Sequence, residues 1–252
     1  MRPNHACAAC GDTGDKVLAE HAGKWIFDEC RQCGLQEAVP MPTEPVFETP
    51  RDESLSRTER LALAWLAEKG KGPVVILCCG AGRLLAELRE RKFQPLGLDP
   101  LAANVDSLSG RGFDVRAGMA EAAPSTWPEP SAILLLESLV RFPNPVAVLT
   151  EVRKRFPKSM LYVSVPGWRS LMVPAFERRR DYPPDQLTRW TPKALKAAFV
   201  RAGYRPQVER RHVDLNVFRG SLRTRFLKAA FALFLRITGE SEEAIVGWGT
   251  PA

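Results

Sequence analysis

The sequence predicts an α/β fold, a doubly wound and mainly parallel sheet with a small cysteine-rich module at its N-terminus. Three observations carry this. Short apolar runs at residues 74–77 (VVIL), 132–136 (AILLL) and 160–165 (MLYVSV) alternate with segments whose apolar residues recur at helical spacing. The first run enters a turn containing Gly80 and Gly82, and the run after it ends in Asp99. Four of the six cysteines fall within the first 33 residues, as two CxxC pairs.

Residues 74–100 organise the rest. Four consecutive apolar residues bounded by breakers read as a strand buried on both faces. Glycines at a strand-to-helix turn let a ligand approach the backbone and leave helix N-terminal amides facing it. Asp99, 17 residues beyond Gly82, falls at the tip of the next strand, where an acid accepts hydrogen bonds from ribose hydroxyls. A nucleoside-containing cofactor is expected, against the alternative of a purely structural turn. Residues 74–82, VVILCCGAG, resemble without a gap the first motif of class I S-adenosylmethionine-dependent methyltransferases, which usually reads like VLDIGCGTG. The resemblance implies a Rossmann-like methyltransferase sheet, with Cys79, Gly80, Ala81, Gly82 and Asp99 binding the cofactor. Two positions depart from it: Ile76 replaces the usual acid and Cys78 the first glycine, both of which help hold the methionine end in relatives.

The two CxxC pairs, Cys7/Cys10 and Cys30/Cys33, are separated by 19 residues and each is followed by glycine, Gly11 and Gly34. Each pair forms a knuckle that turns both thiolates to one ion, and two knuckles complete a four-cysteine structural Zn2+ site with no open position. Disulfides fit poorly with a cytoplasmic chain, and a redox pair needs no matched second pair. His5 reads as a surface residue. The segment between the pairs supplies two short strands, and metal binding provides much of the folding free energy of residues 1–39. The layout CxxCG…CRQCGL resembles the zinc-ribbon prefix of bacterial methyltransferases acting on sugars and other small molecules. Lys16, Lys24 and Arg31 form no aromatic-basic stripe, which argues against nucleic acid.

Composition sets outer limits. The chain has 252 residues, 45% apolar, with 36 Lys+Arg against 29 Asp+Glu. That is enough for one α/β domain plus a small module, and the dispersed net charge of +7 points only weakly to an acidic partner. The N-terminal residues show no apolar targeting stretch, and no run of about 18 apolar residues occurs, so a soluble cytoplasmic location is expected.

Prolines at 40, 42, 45 and 50 mark residues 40–55 as an extended linker ahead of the main domain at 56–252. Ser56 and Glu59 form a capping box that starts a helix ending at Gly70; by the resemblance this helix covers the cofactor cleft. Residues 113–116 read as the third strand of the sheet. Gly118-Met119 stands where relatives carry Gly-Asp, which gives Met119 a place on the adenine ring and Glu121 one at its edge. Glu137 falls at the tip of the fourth strand, where a carboxylate acts as general base or is simply solvated. Residues 139–145, LVRFPNP, resemble a family segment like VLEHLPDP, with Val140-Arg141 in place of Glu-His. A helix follows from Pro145, then the fifth strand.

Residues 168–190 form a long, aromatic and basic lid. Its end, DYPPDQLTRWTPKAL, resembles a family segment reading YPPHHLTRWTP, with Asp185 and Gln186 replacing the histidines. Of the three histidines, His5, His21 and His212, only His212 lies in the main domain, near the sixth strand, where a histidine is more often structural. Removal of the acceptor proton therefore falls to Glu137, Asp185 or Tyr182, or proximity to the sulfonium suffices. Residues 219–238 form an amphipathic helix bordered by arginines, read as packing on the domain or a homodimer partner, lying on an anionic membrane surface, or binding nucleic acid. Residues 244–248 close an antiparallel hairpin with 207–218. The expected activity is methyl transfer from S-adenosylmethionine to a small-molecule substrate, a sugar or lipid-linked precursor. The alternatives are a catalytically silent ligand- or partner-binding domain and a nucleic-acid methylase.

Overall fold

A computed structural model of the chain describes residues 5–22, 25–47, 55–69, 72–167, 182–212 and 242–252. The lid residues 168–181 and the expected helix at 219–238 lie outside them. In the N-terminal module, β1 (Lys16–Ala22) and β2 (Trp25–Cys30) pair antiparallel, and β3 (Gln36–Val39) adds to β2. Helix α1 (Arg57–Ala67) begins at the expected capping box: Ser56 accepts from the Glu59 amide, and the Glu59 carboxylate accepts from the Ser56 amide.

The main sheet then builds in alternation. It comprises β4 (Pro73–Leu77), α2 (Arg83–Glu90), β5 (Gln94–Asp99), α3 (Ala102–Gly110), β6 (Asp114–Ala117) and β7 (Ala132–Leu136), followed by a 3-10 turn at Leu139–Arg141. After it come α4 (Pro145–Arg155), β8 (Met160–Pro166), the short β9 (Thr188–Arg189), α5 (Pro192–Arg201), β10 (Tyr204–His212) and β11 (Glu242–Pro251). Strand order in the seven-stranded sheet is β10-β11-β8-β7-β4-β5-β6, with β11 antiparallel to both neighbours and the other pairings parallel. The chain leaves β4 to one side through β5 and to the other through β7. That reversal opens a crevice at the C-terminal ends of the central strands.

Strand alternation divides the apolar residues between the two faces. Val74, Ile76 and Leu134 pack with Leu63 and Leu66 of α1 and Leu84, Leu85 and Leu88 of α2. Val75, Leu77, Ile133 and Leu135 pack with Leu149 and Val152 of α4 and Leu195 and Phe199 of α5. The second core does not stop at the main domain. It continues through Trp190 and Ala194 into Cys7, Ala9, Cys30, Cys33 and Leu35 of the N-terminal module.

The module is joined in three further ways. β9 pairs with β3, making the small sheet four-stranded in the order β1-β2-β3-β9. Thr191 Oγ1 donates to the Cys33 carbonyl at 2.6 Å while also capping α5 by accepting from the Ala194 amide at 3.0 Å. Arg201 Nη1 donates to the Ala9 carbonyl at 3.2 Å. The glycine after each cysteine pair explains the close approach: Gly11 and Gly34 have φ of +78° and +75°. A Cβ there would lie 3.1 Å from Arg201 Cζ and 3.0 Å from Thr191 Cγ2 respectively. No helix among the described residues is long and apolar enough to cross a membrane.

Candidate functional site

A cleft of about 660 Å3 opens at the strand tips, well within the size range of small-molecule sites. Its floor is the β4–α2 turn, Cys78 to Ala81, with Asp99 and Asn104 on one side. Glu137, Ser138 and Arg141 form the opposite wall, and Ser56, Thr58 and Glu59 close it from above. Phe47, tilted against Phe142 with ring centroids 5.4 Å apart, brings the proline-rich segment to the cleft.

The turn is built by hydrogen bonds to one acid. Asp99, 2% exposed, accepts from the Gly80 amide at 2.7 Å through Oδ2 and from the Leu101 amide and Asn104 Nδ2, both at 2.9 Å, through Oδ1. Asp99 thus ties the tips of β4 and β5 together at the edge of the cleft. Helix α2 begins at Gly82 with no side-chain cap, so the amides of its first turn lack an internal side-chain partner. Ile76 is buried among the α1 and α2 residues and presents no charge.

Cys78 takes a left-handed backbone of the kind glycine favours, with φ of +56°. Its Sγ lies 3.8 Å from Met119 Sδ. Burial, reinforced by the Asp99 charge, pushes the thiols of both Cys78 and Cys79 up to about 12. Met119 does not line the cleft, and the Glu121 carboxylate accepts from the Met119 amide at 3.0 Å.

The three candidate proton acceptors occupy different surroundings. Glu137 lines the cleft at φ +54°, its amide held by the Ser164 carbonyl at 2.9 Å and its Oε1 accepting from Thr58 Oγ1 at 2.9 Å. Backbone strain of this kind at a strand tip is a feature of functional sites. Asp185 forms an ion pair with Arg141 at 2.8 Å. Tyr182 packs edge-on against Phe27 of the small sheet, with the Arg189 guanidinium over both rings at 3.8 Å from Phe27 and 4.9 Å from Tyr182. It therefore belongs to the joint with the N-terminal module. Sequence reasoning missed Thr58, Arg83 and Ser138 as cleft residues, because nothing in their local pattern reports which face of the fold they reach.

The four cysteines of the N-terminal module converge. Cys7 and Cys33 sulfurs are 3.6 Å apart, as are Cys10 and Cys30, and all four lie within 4.8 Å of one another. A tetrahedral site with metal–sulfur bonds of about 2.3 Å has sulfur–sulfur separations of roughly 3.8 Å, so the cluster fits a zinc-type ion. Both knuckles repeat one hydrogen-bond pattern. The Gly11 amide donates to the Cys7 carbonyl and Gly34 to Cys30, while the Cys7 and Cys30 amides donate to Asp12 and Leu35. The hydrogen bond from Cys33 lowers Cys7 to about 4, and the same bond raises Cys33.

No family model matches the sequence, and no curated protein matches it. Solved structures share the fold. A SAM-dependent methyltransferase from Archaeoglobus fulgidus is 14% identical, with a TM-score of 0.55 over 76% of this chain and 94% of that one. The magnesium protoporphyrin IX methyltransferase of Synechocystis, solved with bound SAH, is 10% identical with a TM-score of 0.52 over 78% and 83%. The [4+2]-cyclase SpnF is 16% identical with a TM-score of 0.53 over 84% and 89%.

Proposed function

We propose that the cleft binds S-adenosylmethionine and that the protein transfers its methyl group to a small-molecule acceptor. The observation that supports this best is the union of the uncapped N-terminus of α2 with Asp99 across one crevice. The helix end suits a carboxylate, and Asp99 stands where ribose hydroxyls need an acceptor. An aspartate carboxylate has about four acceptor positions, and three are engaged here, which leaves room for a ribose hydroxyl. A structure of the same fold carries SAH. When bound, the cofactor supplies an activated methyl group, and the chain's contribution is to orient the acceptor in line with it.

In this reading Glu137 takes the acceptor proton where one must leave, and Asp185 and Tyr182 shape the surroundings. The four cysteines hold a structural Zn2+ ion. Calorimetric titration of zinc-loaded protein with S-adenosylmethionine and S-adenosylhomocysteine tests the cofactor assignment, with Gly82→Ala as control. Micromolar binding lost in the variant is expected, and absence of heat at millimolar ligand would sink it.

A second reading follows from two observations. Cys78 and Ile76 remove the groups that hold the methionine end in relatives, and a structure with this fold is described as a [4+2]-cyclase. The cleft then binds the cofactor or a related ligand without methyl transfer. Single-turnover assays with methyl-labelled cofactor separate the two: label on no acceptor, despite tight binding, favours the second.

A further inference from the structure

We propose that the metal ion of the N-terminal module fixes the acceptor-side wall of the cleft, acting through residues 182–191 as a strap. This rests on reading the four cysteines as a metal site.

The strap is anchored at both ends by hydrogen bonds. On the module side, Thr191 Oγ1 donates to the Cys33 carbonyl at 2.6 Å, and the Ala38 amide donates to the Leu187 carbonyl at 2.9 Å. Thr188 and Arg189 pair with Glu37 and Gln36 of β3, whose other neighbour, β2, ends at Cys30. On the cleft side, the Leu187 amide donates to the Val140 carbonyl at 2.8 Å, and Asp185 pairs with Arg141 at 2.8 Å. Arg141 in turn donates to the Val46 carbonyl at 3.1 Å. Leu187 therefore bridges the two sides with its own peptide groups.

β9 has two residues, and a strand so short has no stability of its own. Both of its residues pair with β3, and β3 belongs to a module too small to fold unaided. Removing the ion releases the knuckle that carries the Cys33 carbonyl, then the strap, then the wall at Leu139–Arg141. The cofactor-side wall is built differently. Asp99 is bonded by Gly80, Leu101 and Asn104, all from the main sheet and its helices. Metal occupancy thus sets the geometry of one wall and leaves the other intact, which makes acceptor binding responsive to metal content.

The test is hydrogen exchange, read by mass spectrometry, on the full chain before and after chelation, with zinc content measured in parallel. Chelation is expected to speed exchange by at least about tenfold in residues 138–142 and 185–189 as well as in the module. Residues 77–82 and 94–101 should keep their protection, and added Zn2+ should restore the wall. Loss of metal with changes confined to residues 5–39 would overturn the inference, as would equal loss of protection across β4 and β5. A protein that takes up no zinc on reconstitution fails the metal reading itself, a separate outcome.

Discussion

Arg141 and Asp185 form an ion pair at 2.8 Å across the rim of the cleft, at two positions where the resembling sequences carry histidine. Two separate departures in the sequence are thus one feature in the structure. A cation and an anion stand at these two positions and pair, and Arg141 also reaches the Val46 carbonyl. The pair is about a quarter exposed on each side, 24% and 27%. Its net worth is therefore that of a partly screened surface pair, about 0.2–1 kcal/mol. A double-mutant cycle with Arg141→Met and Asp185→Asn, followed by denaturant unfolding, should return a coupling in that range.

The same pairing sets the two carboxylates apart. Asp185 has its charge directed to Arg141, whereas Glu137 lines the cleft with its carboxylate oriented by Thr58. With an acceptor in hand, Glu137→Gln should lower kcat by about a hundredfold, the lower range for losing a positioned general base. Asp185→Asn should leave kcat close to wild type. Equal losses in both variants would point instead to general disruption of the rim.

Much of the fold was legible in the sequence because its signals are local. The run Ala132–Leu136 is the fourth parallel strand as read, the capping box at Ser56 starts α1, and the four cysteines meet. The departures at Cys78 and Ile76 were legible as departures. That Cys78 retains the left-handed backbone of a glycine was not, since a side chain's identity does not report its φ. β3 and β9 were missed for a physical reason. Thr188 and Arg189 become a strand only because Gln36 and Glu37 lie beside them, about 150 residues away. The same long-range pairing joins buried residues of the N-terminal module to the core of the main sheet.

Cys78 offers a direct test of backbone strain. A non-glycine residue in the left-handed region costs about 1–2 kcal/mol. Cys78→Gly removes that cost but loses the contact with Met119 and gains chain entropy in the unfolded state. A net stabilisation of about 0.5–1 kcal/mol is expected, read as a higher denaturant midpoint, whereas Cys78→Ala should not stabilise. Tighter binding of S-adenosylhomocysteine by Cys78→Gly would also support the cofactor assignment.

The raised thiols predict alkaline behaviour. Cys78 and Cys79 are pushed up to about 12 from an ordinary 9.0, mainly by burial. At pH 8 each carries about a thousandfold less thiolate than an ordinary cysteine, so alkylation by iodoacetamide should be correspondingly slow in native protein. The stability effect has a definite sign. Between pH 9 and 12 the native state holds protons that the unfolded state has released, so stability is full below about 9 and falls as pH rises towards about 12. Melting temperature measured from pH 7 to 10.5 should decline at the upper end, and less steeply in Cys79→Ala. A flat profile would contradict the raised thiols.

Gly82 and Gly112 share a backbone conformation but not surroundings, which separates strain from packing. Their φ values are +75° and +74°. A Cβ on Gly82 would lie 2.2 Å from Leu108 Cδ2, whereas one on Gly112 would meet nothing within 4 Å. Leu108 is 1% exposed, packed in the core beneath α3, so its side chain cannot swing into solvent. Gly112→Ala should cost only the left-handed penalty, about 1 kcal/mol. Gly82→Ala should cost that plus about 1–3 kcal/mol for forcing an extra carbon into a filled core. It should also shift the first turn of α2, and with it the amides that face the cleft. Denaturant unfolding of both variants, with cofactor binding measured alongside, should show a large stability loss and lost binding only in Gly82→Ala. Similar stability losses in the two would mean that α2 can move away from α3 at little cost, and that the turn is less tightly built than the contact at Leu108 implies.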